Sequence, residues 1–177
     1  MARVDFGAAR QQAEDAGLIS SSSFYKYKEG DNRIRLMSEC VPHTSDFNGK
    51  KSFKWLCYVL DRRDGKIKAH FMSHTVYKAI EALQTNPDYA FEEVPMPYDL
   101  TVNAKGAGTM DVEYSLIPAR KETPLTSAES EEWHKQKPVK ELQAAIREKQ
   151  EKDKAGKQSP PEHVSVPDYN DADAPPF

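Results

Sequence analysis

The sequence lacks long apolar runs and has few apolar residues overall. Only 38% of its 177 residues are hydrophobic, below the roughly 45–50% typical of globular domains. No stretch of about 18 apolar residues occurs, so a membrane-spanning helix is excluded by length. The N-terminal MARVDFGAARQQAEDAG lacks the apolar centre of a secretion signal. We therefore expect a cytoplasmic protein with one ordinary domain and extensions outside its core.

Cysteine is scarce, and the metal-binding residues are poorly spaced. Cys40 and Cys57 lie in different segments and form no Cys-x-x-Cys pair. Without a secretion signal, we interpret both as reduced, partly buried thiols. Structural zinc sites show paired short spacings, whereas Cys40-x-x-His43 is a single weak half-site. We expect no metal and no cofactor.

Motifs of the common enzyme classes are missing as well. The chain has no G-x-x-x-x-G-K-[S/T] phosphate loop and no G-x-S-x-G nucleophile motif. Asp99, Asp111 and Glu113 come nearest to a metal-dependent nuclease site, but no lysine is placed to help activate water. We expect no catalytic residues, although one sequence leaves an enzyme as a third alternative.

The net charge of −3 hides a strong asymmetry. From Lys26 to Lys78 there are twelve lysines and arginines against six acids, which gives +6. From Ser159 to Phe177 there are four acids and no lysine or arginine. A basic body with an acidic tail is typical of nucleic-acid-binding chains.

The segment from Phe53 to Phe71, FKWLCYVLDRRDGKIKAHF, predicts a β-hairpin with Asp64-Gly65 at its turn. It combines cations with flat rings, as grooves for single-stranded nucleic acid do. Both faces of its first strand are largely apolar, since Trp55 and Cys57 alternate with Leu56 and Tyr58. One face must fill the core, and a ligand, a loop or a partner must cover the other. The sequence leaves open which face is which, and the rings could also simply be core.

The order of predicted elements is β-β-β-α-β-β over about 95 residues. Residues 33–41 alternate Arg33 and Arg35 outward with apolar residues inward, as in a half-buried strand. A polar loop from Pro42 to Ser52 precedes the hairpin, a helix capped by Ser73 follows it, and two strands flank the turn at residues 105–108. This order predicts a mainly β, five-stranded OB-fold barrel. SH3-like barrels lack the helix, and a sandwich needs about seven strands.

Four regions follow from this interpretation. Residues 1–22 form a flexible N-terminal segment, 23–121 the OB-fold domain, 122–157 a charged helical extension and 158–177 a disordered acidic tail. The extension begins at a capping box, Thr126 to Glu129.

Candidate binding residues lie on the first three strands and at the C-terminal tip. Cations on neighbouring strands form one patch that suits phosphates, and aromatic rings there can stack on bases. The predicted phosphate contacts are Arg33, Arg35, Lys54, Arg62, Lys66 and Lys68, and the predicted stacking rings are Trp55, Tyr58 and Phe71. At the tip, Phe177 can fill an apolar pocket of a partner while Asp168, Asp171 and Asp173 meet basic residues around it.

The segments KEGDNRIRLM, YDLTVNAKGAG and DYNDADAPPF together resemble a bacteriophage single-stranded DNA-binding protein. The tip is similar to the acidic, phenylalanine-terminated ends of the bacterial and T7-type proteins, and the body loosely resembles the T4-type core. The resemblance covers roughly residues 24–120 and the last ten. The T4-type core carries a His and Cys zinc subdomain whose ligand spacing is missing here, so zinc is not carried over.

The resemblance implies a non-catalytic protein that coats and protects single-stranded DNA without sequence preference during phage replication, recombination and repair. It would act in the host cytoplasm, recruit replication or recombination enzymes through the tip, and have no membrane partner; self-association on DNA is left open. The tip should also compete with DNA, because its acids mimic phosphates. The alternative is an OB-fold adaptor of a replisome that grips another protein and does not bind DNA.

Overall fold

The structure is a computed structural model that describes residues 24–47 and 49–156. Within these ranges the chain is mainly β, with seven strands and three helices. In chain order they are β1 Phe24–Tyr25, β2 Gly30–Leu36, β3 Val41–Phe47, β4 Lys50–Asp61, β5 Lys66–Met72, α1 His74–Gln84, β6 Leu100–Lys105, β7 Glu113–Pro118, α2 Ser127–His134 and α3 Val139–Gly156. Two compact units divide the chain, the first ending at Gln143 and the second beginning at Ala144.

All seven strands belong to one mixed sheet in the order β1-β5-β4-β2-β6-β7, with β3 paired to β4. Only the β1–β5 pair is parallel. The closed five-stranded barrel predicted from the sequence is wrong, because the sheet is open within the described residues: β1 and β7 are its two ends. The edge of β5 opposite β4 is occupied by the two-residue strand β1, which the predicted order did not include.

The polar loop predicted from Pro42 to Ser52 is also wrong. Residues 41–47 form β3, which pairs with the first half of β4 from Val41 opposite Leu56 to Phe47 opposite Lys50. β2 pairs with the last residues of β4 instead, from Leu36 opposite Val59 to Ile34 opposite Asp61. β4 is long enough to form backbone hydrogen bonds with both β2 and β3. This pairing holds the polar residues of β3 in a strand although their intrinsic strand propensity is low.

The predicted hairpin is present as β4 and β5. Gly65 closes its turn with a φ of 70°, which glycine adopts without a steric penalty. The Gly65 N–H donates to the Asp61 carbonyl at 2.8 Å, and the Lys66 N–H donates to the Asp64 side chain at 2.9 Å. Local sequence therefore determines this reversal.

The predicted helix is present as α1. The Ser73 side chain caps it by accepting from the Val76 N–H, and Val76, Ile80 and Leu83 are buried on one helix face. They pack on the sheet face that carries Cys57 and Val59. Each buried aliphatic side chain contributes about 1.5–3 kcal/mol, so this face of the sheet is the main core.

The opposite face of β4, which we call the outer face, is covered by the chain itself. Leu56, Tyr58 and Leu60 are buried there. The ring of Trp133 in α2 contacts Tyr58 edge-on, with centroids 5.8 Å apart, and Gln143 donates to the Pro42 carbonyl at 2.6 Å. The sequence left open whether a ligand, a loop or a partner covers this face. In the structure a later segment of the same chain, including Trp133, lies against it.

Residues 122–143, the first part of the predicted charged helical extension, belong to the same compact unit as the sheet. Residues 1–23 and 157–177, with the predicted flexible N-terminus and acidic tail, lie outside the described residues. Within the described part, every helix is too short or too polar to cross a membrane.

Candidate nucleic-acid interface

Three of the predicted phosphate-binding arginines converge on one carboxylate. Arg33 Nε lies 3.0 Å from Asp99 Oδ2, Arg35 Nε lies 2.8 Å from Oδ1, and Arg62 Nε lies 3.1 Å from Oδ2. Burial alone would raise the pKa of Asp99, but the Arg62 hydrogen bond and the charges of Arg35 and Arg62 hold it below its usual value. Asp99 is therefore ionised and neutralises part of the predicted patch.

Arg35 was predicted to point outward into solvent, and this prediction is wrong. Its side chain is only 1% exposed, and Nη1 donates to the Thr123 carbonyl at 2.5 Å. The predicted alternation is present in β2, but the chain after β7 returns over Arg35 and covers it. Arg33 keeps 61% of its side chain exposed, while Arg62 is 19% exposed and also pairs with Glu129 of α2.

A second carboxylate, Asp61, neutralises the hairpin end. Arg63 Nε and Lys68 Nζ each lie 3.0 Å from its oxygens. Its pKa is lowered although burial opposes this, because Arg63 and Lys68 donate hydrogen bonds to it. Lys68 also pairs with Asp64 at 2.5 Å, so this predicted phosphate contact already has two acidic partners.

Lys54 and Lys66 differ from the arginines. Both are exposed, and neither forms an ion pair with another described residue. Lys54 lies beside a cleft of about 300 Å³ that we call the aromatic cleft. Its lining residues are Phe24, Tyr25, Lys26, Tyr27, Lys54, His70, Phe71, Ala107, Gly108 and Tyr114.

Phe71 is the predicted stacking ring that lies in this cleft. It stacks on Phe24 with centroids 5.0 Å apart and planes 7° from parallel, and His43 contacts it at 5.1 Å. Both Phe24 and Phe71 are half-buried. Tyr27 and Tyr114 form a further ring contact on the cleft wall, with centroids 5.2 Å apart.

The other two predicted rings lie elsewhere. Trp55 stacks on Tyr77 of α1 with centroids 3.8 Å apart, and its Nε1 donates to His74 Nδ1 at 3.2 Å. Tyr58 is 5% exposed, beneath Trp133. Trp55 and Tyr58 thus occupy opposite faces of β4, as their alternation in the sequence predicts.

The buried wall of the cleft carries no charge at neutral pH. His70 is buried and its Nδ1 lies 3.0 Å from the Tyr25 carbonyl oxygen. Burial lowers the pKa of His70 to about 4, and the charge of Lys54 lowers it too. Burial also raises the pKa of Tyr25 to about 12. The positive charge of the cleft therefore comes from its rim, at Lys26 and Lys54.

Two side chains, Asn32 and Glu29, fix the cleft, and the sequence alone identifies neither of them. Buried Asn32 accepts from the Lys28 N–H at 2.9 Å and donates to the Val102 carbonyl at 3.2 Å, which ties the segment after β1 to β6. The Glu29 carboxylate accepts from the N–H groups of Gly106 and Ala107 at 3.2 and 2.8 Å. These two hydrogen bonds lower the pKa of Glu29 and anchor the β6–β7 turn beside the cleft.

Sequence reasoning also missed Phe24, Lys26, Tyr27 and Tyr114 as cleft residues. The alternation of rings and lysines in FYKYK was the available signal, but only the parallel pairing of β1 with β5 brings it next to Phe71. The tip residues Asp168, Asp171, Asp173 and Phe177 lie outside the described residues, so partner capture stays a prediction.

Within the described ranges, no group of three or more His, Cys, Asp or Glu side chains is arranged to hold a metal ion. The thiol of Cys57 is fully buried, and its pKa is raised by a hydrogen bond with Cys40 and by burial, which makes it a poor nucleophile. What the described residues bring together is a set of rings with cations at the rim. No protein-family model, curated protein or solved structure matches this chain.

Proposed function

We propose that this protein binds single-stranded DNA without sequence preference and that the aromatic cleft holds the strand. The observation that carries the proposal is the Phe24–Phe71 stack beside Lys26 and Lys54, two exposed cations that form no ion pair with any described residue. Stacked rings offer a surface to a base, and the lysines offer charge to the adjoining phosphates. Together they supply both parts of a single-strand groove.

The chemistry of the cleft favours binding that tolerates any base. A ring stacks on the π-face that all bases share, and each stacked base contributes about 1–3 kcal/mol. Lysine contacts phosphate as a point charge and carries no sequence information. Binding through the exposed lysines of the cleft should weaken as salt is added, since each phosphate contact releases counterions.

The strand connections support an opened relative of the OB fold as the scaffold. β2 and β3 follow one another and share β4 as a partner, β2 also pairs with β6, and α1 connects β5 to β6. OB folds bind oligonucleotides on the face of their second and third strands, which correspond here to β4 and β5. Phe71 and Lys54 lie on these two strands.

The wider role rests on the resemblance of the sequence to phage single-stranded DNA-binding proteins. On that basis the chain coats and protects single strands during replication, recombination and repair. Its acidic tip recruits partner enzymes and competes with DNA for the positive charge of the cleft.

The test is a titration of labelled oligo-dT, followed by fluorescence anisotropy at two salt concentrations. The wild-type chain is expected to bind with micromolar or better affinity at low salt and much more weakly at high salt. Lys54→Glu should weaken binding by about tenfold or more, because it replaces a phosphate contact with a repulsion. Lys78→Glu, on the exposed side of α1, is the matched control and should leave affinity nearly unchanged.

Absence of binding by the wild-type chain at low salt would refute the proposal. Equal losses in Lys54→Glu and Lys78→Glu would show general electrostatics and remove the cleft as the site. Phe71→Leu separates stacking from charge, since it keeps apolar volume but removes the ring. It should weaken binding without changing the dependence on salt.

The second candidate is a protein-interaction adaptor that does not bind DNA. The observation in its favour is that Arg33, Arg35 and Arg62 share Asp99 and Lys68 pairs with Asp61, so much of the predicted basic patch is neutralised within the chain. Under this alternative, Trp55 fluorescence responds to a replisome protein and ignores DNA.

A further inference from the structure

A second cavity, of about 280 Å³, lies between α1 and the segment 91–94. Its apolar lining includes Leu36, Cys40, Tyr77, Ile80 and Phe91. Drug-sized ligands occupy cavities of roughly 300–1,000 Å³, so this one suits a single large apolar side chain better than a whole ligand.

One face of α1 forms a wall of this cavity. Tyr77, Ile80, Glu81 and Gln84 all line it, and their spacing places them on one side of the helix. The helix therefore presents apolar side chains toward the interior of the cavity and polar ones toward its rim. Val94, on the other side, is 38% exposed and adds apolar surface at the entrance.

The rim of this cavity is acidic. Glu39, Glu81, Glu92 and Glu93 all line it and all are exposed. Glu39 pairs with Lys140 at 3.3 Å across solvent-exposed side chains. The other three glutamates form no ion pair within the described part of the chain, so their charges are available to a partner.

We propose that this acid-rimmed cavity docks a basic amphipathic segment of a partner protein. One large apolar side chain of the segment enters the cavity, and flanking lysines or arginines pair with the glutamates. Charge complementarity selects this occupant, because the same glutamates repel phosphates and also repel the acidic tip of this chain. The site is independent of the aromatic cleft and of whether the protein binds DNA.

Trp55 provides a local probe of the cavity. Tyr77 lines the cavity and stacks on Trp55 at 3.8 Å, so a side chain entering beside Tyr77 changes the surroundings of the indole. The chain has two tryptophans, Trp55 and Trp133, and Trp133→Phe leaves Trp55 as the only tryptophan while keeping a ring over Tyr58.

The experiment titrates the full chain carrying Trp133→Phe with a synthetic helical peptide of alanine, lysine and two leucines at i and i+4. Two further peptides are the controls: one with serine in place of both leucines, and one with glutamate in place of every lysine. The first peptide is expected to shift Trp55 emission in a saturable way, and both controls should bind at least about tenfold more weakly.

Matched variants locate the binding. Glu92→Lys with Glu93→Lys should weaken the lysine–leucine peptide by about tenfold, while Glu122→Lys with Glu131→Lys, two exposed acids outside the cavity, should not. Equal effects of the two double variants, or equal binding of the all-glutamate peptide, would overturn the proposal. A synthetic peptide of residues 1–23 that displaces the lysine–leucine peptide would also overturn it, since the occupant would then be this chain.

Discussion

Two sets of cations lie on the sheet or directly beside its strands, and they differ in what neutralises them. Arg35 and Arg62 are bound by Asp99 and also contact the segment after β7, through Thr123 and Glu129 respectively. Lys26 and Lys54 border the aromatic cleft with no acidic partner among the described residues. Both sets look alike in the sequence. The first holds the chain together and the second is available to a ligand, so the density of basic residues does not by itself locate a binding site.

The largest effect on stability is expected from removing the Asp99 carboxylate, which neutralises Arg35 and Arg62. Asp99→Asn should lower the free energy of unfolding by about 3–5 kcal/mol, because buried Arg35 is left without its counter-charge. Urea unfolding followed by circular dichroism measures this change. Asp111→Asn, at an exposed residue, is the control and should cost little. A loss below about 1 kcal/mol in Asp99→Asn would contradict a structural role for the network.

Acid should weaken the same network without a mutation. The pKa values of Asp99 and Asp61 are lowered in the folded protein, so below the unfolded-state pKa of about 3.9 the unfolded chain binds protons first. The contribution of both carboxylates is complete above that pH and is lost as pH falls toward their folded-state pKa values. Unfolding measured between neutral pH and strong acid should show this decline.

The decline should be smaller in Asp99→Asn, which cannot titrate at that position. The same pH dependence in Asp99→Asn and in the wild-type chain would assign the acid sensitivity to other carboxylates.

Removing the cover from the outer face should have an intermediate effect. Trp133→Ala should destabilise the chain by about 1–3 kcal/mol, below the 3–5 kcal/mol of a fully buried aromatic, because Trp133 is half-buried against Tyr58. Trp133→Phe should retain most of the stability. Affinity for oligo-dT should be unchanged in both. Tighter binding by Trp133→Ala would mean that Tyr58 is a binding ring that the cover obstructs.

Substitution of Lys26 and Lys54, the cations at the rim of the aromatic cleft, should weaken DNA binding and leave the stability of the fold unchanged. Lys26→Gln with Lys54→Gln should reduce the slope of log affinity against log salt by about 0.7 for each lysine removed, with unfolding almost unchanged. Arg62→Gln should instead lower the free energy of unfolding and leave the salt slope almost unchanged. A salt slope that falls equally in both variants would erase the distinction between the two sets.

Local sequence signals predicted the elements that close over short distances. The β4–β5 hairpin follows from Asp64-Gly65 between two apolar runs, and α1 follows from its Ser73 cap and apolar spacing. The capping box at Thr126 and Glu129 is also present. In each case the residues that determine the structure are neighbours in the chain, so their contacts can be read without knowing the fold.

Two of the errors concern contacts between distant segments, whereas the predicted loop from Pro42 to Ser52 is a local error, since residues 41–47 pair with the adjacent strand β4. The short strand β1 pairs with β5 about 45 residues later and changes a predicted closed barrel into an open sheet. Arg35 follows a correct alternation, yet it is buried because Thr123 lies over it. Pairing and coverage of this kind depend on where the chain returns, which alternation of side chains along one strand does not specify.

The sequence by itself determined that both faces of β4 must be covered, since apolar residues occupy both parities from Trp55 to Leu60, and that Trp55 and Tyr58 lie on opposite faces. Only the tertiary structure decided what covers them: α1 lies on one face and α2, through Trp133, on the other. It also decided which cations remain available, because an ion pair depends on distances of about 3 Å between residues such as Arg35 and Asp99, 64 positions apart.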